Sequence, residues 1–370
     1  MKLNINFPTQ IISGENCIQK NTAKIAALGA KKAFIVTGKS GAKKSGALDD
    51  VTSALSSLGI GYTVFDEIAE NPPLLVSHKA GRMCAEIGCD LVIGIGGGSA
   101  LDASKAVAVF AANDIKPMEG FEADKCKAAL PIIAVPTTAG TGSEANPYAV
   151  MTLPEGDQKK TLQFQFTYPI LAFVDPKYTY SLGYEYTVST ALDAFAHAIE
   201  SYLSPNSTLF SESFALFAAK SIFEVLNKKG TGFSKEEREA LAYASCAAGA
   251  AISVTGTGFP HPLGYSLTLL KGIPHGKACA VFESDYIELN YKTEQGRIKL
   301  DKFLSQLGTT APYLGSLLYE LADVNISLSE EEIKQFVDLI KVAGNYTNSP
   351  YVLSDEEKYA IYNKLFAKKQ

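Results

Sequence analysis

From residue 33 to about residue 176 the chain alternates short apolar runs, rich in β-branched residues, with stretches of helical period. AFIVTG (33–38), YTVFDE (62–67), LVIGIGGGS (91–99), PIIAVPTT (131–138) and LAFVDP (171–176) each read as a strand, and the segments between them have room for crossover helices. That alternation predicts an α/β domain with a mostly parallel sheet, whose ligands gather at the carboxyl ends of the strands. After about residue 185 the texture changes to Ala-, Leu- and Glu-rich segments, with helices predicted over 187–204, 208–227, 235–253, 277–293, 312–323, 329–343 and 354–367. Three of them open on capping boxes: Ser234 with Glu237, Ser329 with Glu332, and Ser354 with Glu357. The change near Gly183 to Tyr186 predicts two domains, residues 1–184 for nucleotide binding and an all-α domain over 185–370.

The glycine turns supply the first candidate chemistry. Gly94-Ile-Gly96-Gly97-Gly98-Ser99 follows an apolar strand and precedes a helix, an arrangement in which backbone N–H groups and the helix dipole favour a phosphate. It departs from the G-x-G-x-x-G fingerprint, since Ser99 stands where the third glycine would be. PTTAGTGSE (136–144) is a second polar turn, in which Thr137, Thr138 and Thr141 are candidates for phosphate or ribose oxygens. The plainer reading of each turn is a capped helix start; two at successive strand ends point to a dinucleotide laid across the sheet edge. The first strand ends in Gly38, Lys39 and Ser40 with no carboxylate to meet a ribose 2′-hydroxyl, and Lys43 follows. Space and positive charge there favour a 2′-phosphate, hence NADP(H) over NAD(H).

A metal constellation is the second candidate. Asp193 and His197 lie four residues apart in TALDAFAHAIESYL and so share one helix face. His261, in GTGFPHPLG, and His275, in GIPHG, fall in Gly/Pro-punctuated segments whose bends are expected to bring both imidazoles to the same point. A single histidine is ordinarily a packing residue. Here three of four converge on one stretch and only His78 lies elsewhere, on a predicted surface helix, which favours a site for a divalent transition metal.

Composition narrows the setting. A chain of 370 residues exceeds one ordinary core, and 46% hydrophobic with 20% charged residues leaves ample apolar material for two. A net charge of −5 and the lack of a basic stripe exclude a nucleic-acid surface from the expectation. Six cysteines without a C-x-x-C pair suggest buried thiols in a reduced, cytoplasmic compartment. MKLNINFPTQIISGEN has no continuous apolar region of signal-peptide type. No stretch reaches the roughly 18 uninterrupted apolar residues of a membrane span.

FPTQIISGENC, VTGKSGAKKSG, FDEIAENP, GGGSALDASKA, PTTAGTGSE, LAFVDP, the D-x3-H pair at 193 and 197 and the H-x13-H pair at 261 and 275, in that order, resemble the iron-containing (group III) alcohol dehydrogenase family nearly end to end. The resemblance implies a dehydroquinate-synthase-like enzyme: a nucleotide-binding α/β domain, a helical metal domain and a cleft between them. It implies Fe(II), in some members zinc, on Asp193, His197, His261 and His275. Cofactor contacts carry over onto Gly97, Gly98, Ser99, Asp102, Thr137 and Thr138, and further onto Asn71 and Lys160, and the Gly38 and Lys39 turn is similar to that of NADP-preferring members. Many relatives have a histidine four residues after the third ligand, with a proton-relay role; here that position is Tyr265, which leaves Tyr265 or water to pass the proton. The implied reaction is hydride transfer between NADP(H) and a small primary alcohol or aldehyde, in a homodimer to which residues 2–7 would lend an edge strand. The alternatives are a glycerol-type polyol dehydrogenase, a dehydroquinate-synthase-like lyase, and an inactive binding scaffold. The apolar surroundings of the ligands favour a neutral substrate over the anionic one of a lyase.

Overall fold

The computed structural model describes residues 6–228, 230–341 and 343–368. By backbone contacts they group into two units, one containing the chain up to Gly183 together with Gly232–Gly249, the other the remainder of Tyr184–Thr231 and the chain from Ala250. The division at residue 184 expected from sequence differs from this grouping in the segment 232–249.

In the first unit the chain runs β1 (Gln10–Ser13), α1 (Cys17–Lys20), α2 (Thr22–Ala26), β2 (Lys32–Thr37), α3 (Gly41–Lys44), α4 (Ala47–Ser57), β3 (Gly61–Phe65), α5 (Leu74–Glu86), β4 (Leu91–Gly96), α6 (Gly98–Ala112), β5 (Ile132–Pro136), β6 (Ala149–Thr152), β7 (Lys159–Leu162) and β8 (Leu171–Val174). Six strands form one parallel sheet in the order β1-β8-β5-β4-β2-β3. Every residue of β4 is buried, as a strand covered on both faces requires. Successive residues of β2 enter opposite layers: Ala33 and Ile35 join Leu48, Val51 and Leu55 of α4, whereas Phe34 and Val36 join Ala80 and Cys84 of α5 and Val107 of α6. After β3 the chain returns past β2 to place β4 on its other side, so the sheet switches direction between β2 and β4. In open α/β sheets that switch point is where ligands sit. The turns after β2, β4 and β5 are neighbours on this carboxyl edge.

The antiparallel hairpin of β6 and β7 was not expected. Each strand has four residues, too few for a period-2 signal, and LPEGDQ between them reads as loop. Of residues 2–7, on which the dimer expectation leaned, 2–5 lie outside the described residues, and Asn6 and Phe7 are in no strand.

In the second unit the chain runs α7 (Tyr184–Leu203), α8 (Leu209–Leu226), the end of α9 (Lys235–Thr255), α10 (Pro260–Lys271), α11 (His275–Ala280), α12 (Glu283–Asn290), α13 (Glu294–Leu307), α14 (Ala311–Ala322), α15 (Glu330–Ile340) and α16 (Asp355–Phe366). All three expected capping boxes form, each with reciprocal side-chain and backbone bonds. The expected bendable segment around His261 is instead the first turn of α10, where Pro260 and Pro262 cost nothing because first-turn N–H groups have no helical partner. The single helix expected over 277–293 is divided into α11 and α12, and α11 begins on His275. Among the described residues no single helix is long and apolar enough to cross a membrane.

Candidate metal centre and cofactor turns

α7 is buried without interruption from Ala191 to Leu203, so any polar side chain in that stretch must find its partner inside the unit. Asp193, His197 and Glu200 recur there at spacings of four and three and share one face. α10 delivers His261 from its first turn, and α11 delivers His275 as its first residue. The Nε2 atoms of His197, His261 and His275 lie 3.8, 3.7 and 3.8 Å from one oxygen, Asp193 Oδ1. Ligand atoms about 2.1 Å from a shared tetrahedral ion are roughly 3.4 Å apart, so a slight contraction converts this cluster into a coordination shell. Asp193 Oδ1 and His261 Nε2 are buried and accept or donate no hydrogen bond. Two orphaned buried polar atoms facing each other cost about 1–3 kcal/mol each; a cation between them removes that cost. The residues therefore fit a divalent transition metal.

Burial by itself pushes the Asp193 carboxyl up, but the surrounding His197, His261 and His275 outweigh it and hold the group well below the carboxylate range. Burial likewise pushes the His261 imidazole down, and the Glu200 charge, with Asp193 behind it, lifts it to about 9. Glu200 fixes the ring: its Oε1 and Oε2 lie 2.7 and 2.9 Å from His261 Nδ1, so Nδ1–H donates to the carboxylate and Nε2 faces Asp193. Burial and the Glu200 charge push the fully buried Glu283 well above its ordinary value, so a neutral acid stands behind Glu200. Thr268 Oγ1, 3.4 Å from His275 Nδ1, supports the second ring. His275 is the most open of the four, its side chain 29% exposed, and the Tyr265 ring stacks on it with centroids 5.9 Å apart.

Sequence reasoning missed two polar residues here. Glu200 follows His197 by three on the same helix face, and Cys279 follows His275 by four. The donor atoms of Asp193, His261, His275 and Cys279 all lie within 4.8 Å of one another.

In the sheet unit the predicted cofactor residues occupy neighbouring turns. Gly97 caps α6, and a Cβ on it would lie 3.1 Å from the Thr138 side chain; one on Gly98 would lie 2.5 Å from Thr141 Cγ2. The two polar turns thus interlock only because those positions are glycine. Ser99 follows in the first turn of α6, and the Thr137 N–H donates to Gly96 O at 2.9 Å. Asp102 spends both oxygens inside the unit, accepting from Ser143 Oγ at 2.6 Å and Val150 N at 2.9 Å. It braces α6 against the second turn and β6. Gly38, Lys39 and Ser40 lie after β2, with both Lys39 and Ser40 exposed, and Lys43 is 4.0 Å from Asp66. Asn71, at φ 52°, accepts a bond from Thr152 Oγ1 through its carbonyl, and Lys160, on β7, lies 4.7 Å from the Phe121 ring centre. Gly98→Ala is expected to raise the KM for the nicotinamide cofactor about tenfold, because Thr141 must yield, while metal content stays at its original value. Steady-state kinetics on folded variant protein checks this; an unchanged KM contradicts it.

Residues 8–176 match the family described as iron-containing alcohol dehydrogenase, and residues 187–312 match the C-terminal part of the Fe-containing alcohol dehydrogenase family. The chain is 31% identical to long-chain-alcohol dehydrogenase 1 of Geobacillus thermodenitrificans, over 98% of its own length and 96% of the relative's. It is 29% identical to the NADPH-dependent butanol dehydrogenase of Clostridium saccharobutylicum, over 91% and 90% of the two chains. The crystal structure of an iron-containing alcohol dehydrogenase from Thermotoga maritima superposes with a TM-score of 0.91 at 38% identity, covering 98% of this chain and 99% of that one.

Proposed function

The chain belongs to the iron-containing alcohol dehydrogenase family, an oxidoreductase family, and we propose that it transfers hydride between NADP(H) and a small primary alcohol or aldehyde. The convergence of three imidazole Nε2 atoms within 3.8 Å of Asp193 Oδ1 carries the reading. Asp193, His197, His261 and His275 would hold ferrous iron, whose Lewis acidity toward the substrate oxygen is the chemistry the metal supplies. Hydride transfer is the chemistry that a bound nicotinamide would supply.

The chain's own residues position and balance charge. The Asp193 carboxylate neutralises part of the charge on a bound dication. Glu200 holds His261 in one tautomer with Nε2 forward, and the neutral Glu283 behind it keeps a second negative charge out of the same buried space. Phe259 and Leu263 are buried on either side of His261 along the chain, surroundings suited to a neutral substrate. On the sheet unit, α6 offers its N-terminus to the cofactor pyrophosphate, and the Thr138 and Thr141 hydroxyls adjoin it.

The preference for NADP(H) is supported by the Gly38, Lys39 and Ser40 turn beside the sheet's switch point, and by the similarity to a relative named for NADPH. A panel of short straight-chain aldehydes assayed with NADPH and with NADH tests the reading. We expect NADPH to give the higher kcat/KM, and Lys39→Ala to lower the NADPH to NADH ratio about tenfold through loss of one charge-assisted contact. A higher kcat/KM with NADH, or a ratio indifferent to Lys39, contradicts the cofactor assignment. No oxidation or reduction with any panel member contradicts the substrate class.

A further inference from the structure

Cys279 sits one turn after His275 on α11, and residues so spaced leave a helix on the same face. Its Sγ lies 3.8 Å from both ring nitrogens of His275, and it completes the four-donor group with Asp193, His261 and His275. The residue is fully buried and has no part in the reading above. Beside it, Asp193 Oδ1 and His261 Nε2, both on side chains no more than 5% exposed, face the same point without hydrogen-bond partners. We propose that Cys279 is a ligand of this cage for thiophilic ions: when zinc enters, the Cys279 sulfur binds it together with Asp193, His261 and His275.

The exchange is a simple ligand substitution. The S–H bond breaks, the proton leaves to solvent, and a sulfur–zinc bond forms, with no change in oxidation state. Asp193, His261 and His275 are then common to two donor sets, one completed by His197 and one by Cys279, and the ion chooses between them. Imidazole and carboxylate suit ferrous iron, whereas thiolate favours zinc. His197 stacks on the His261 ring, with centroids 4.7 Å apart and planes 18° apart, so it remains beside the cage whichever set binds. The chain thereby carries a built-in preference for zinc that an alcohol or aldehyde substrate does not require.

This inference rests on the metal-cage reading, and the test separates the two. Metal-free full-length protein is loaded with one equivalent of zinc and measured by X-ray absorption at the zinc edge. We expect one sulfur scatterer at about 2.3 Å beside nitrogen and oxygen at about 2.0–2.1 Å, and loss of the sulfur shell in Cys279→Ser and Cys279→Ala. In competition between zinc and iron, both variants should lose at least about tenfold in zinc preference. One bound zinc with only nitrogen and oxygen around it overturns the role of Cys279 and leaves the cage standing. Failure to bind one zinc overturns both. A sulfur shell that survives both substitutions also overturns the assignment. If neither variant folds, the wild-type spectrum decides, together with cobalt loading, where a sulfur-to-cobalt charge-transfer band is expected and its absence refutes the proposal.

Discussion

His261→Ala is expected to lower kcat/KM for aldehyde reduction by at least about a thousandfold, the equivalent of roughly 4 kcal/mol of transition-state stabilisation. Of the four proposed ligands, His261 is tied on both sides. Its Nδ1 is anchored by Glu200 and its Nε2 faces Asp193 Oδ1 at 3.7 Å. Truncation removes a donor and leaves the buried Glu200 carboxylate beside Glu283, still accepting from the Gly258 N–H but without its His261 partner. The variant should therefore lose bound metal and also melt at lower temperature. His275→Ala, at the half-open side, should lose comparable activity with a smaller thermal penalty, since its side chain is 29% exposed against 4% for His261. Metal analysis, kinetics and thermal melts on both variants check the pair. Activity within tenfold of the original in either contradicts the metal assignment.

Gly276→Ala should be the most damaging single-methyl change in the helical unit. A Cβ at this position would lie 1.8 Å from Ser189 O and 2.8 Å from Asp193 N. α11 meets α7 through this hydrogen-only contact, and it would have to retreat by roughly 1.5 Å to reach ordinary van der Waals distance. His275 precedes Gly276, and Asp193 is the residue it must reach. We expect a loss of about 3 kcal/mol of stability and a fall in metal affinity, both read from melts at fixed metal concentration. A variant with the original Tm and metal stoichiometry would show that α11 can move without consequence.

The reason for Gly276 is invisible in sequence, because nothing local marks a glycine whose missing side chain is needed by a helix some eighty residues earlier. What was legible had a period. Asp193 and His197 announced themselves by helical spacing, and the strands by apolar runs between Gly-rich turns. Glu200 and Cys279 obey the same spacing rule, but a lone carboxylate or thiol one turn from a histidine marks no site by itself, because such residues also recur on packed helices. Leu300, Phe303, Leu304 and Leu307 likewise form a helical stripe, yet α13 went unpredicted because EQGRIKLDK surrounds it with charge. The prolines beside His261 are ambiguous in sequence, since the residue that bends a loop is equally at home in the first turn of a helix. Asp102 shows a different limit: its place in the motif suggests a cofactor contact, and nothing in the sequence tells that its two oxygens also accept from Ser143 and Val150. The β6 and β7 hairpin is held by contacts that four-residue strands cannot advertise.

The central claim is that turnover depends on one divalent ion at Asp193, His197, His261 and His275. Its most direct test is anaerobic titration of verified metal-free protein with ferrous iron while NADPH oxidation by a short aldehyde is followed. The account predicts no turnover at the outset and a linear rise to a plateau at one equivalent per chain. Full turnover before any metal is added would contradict it.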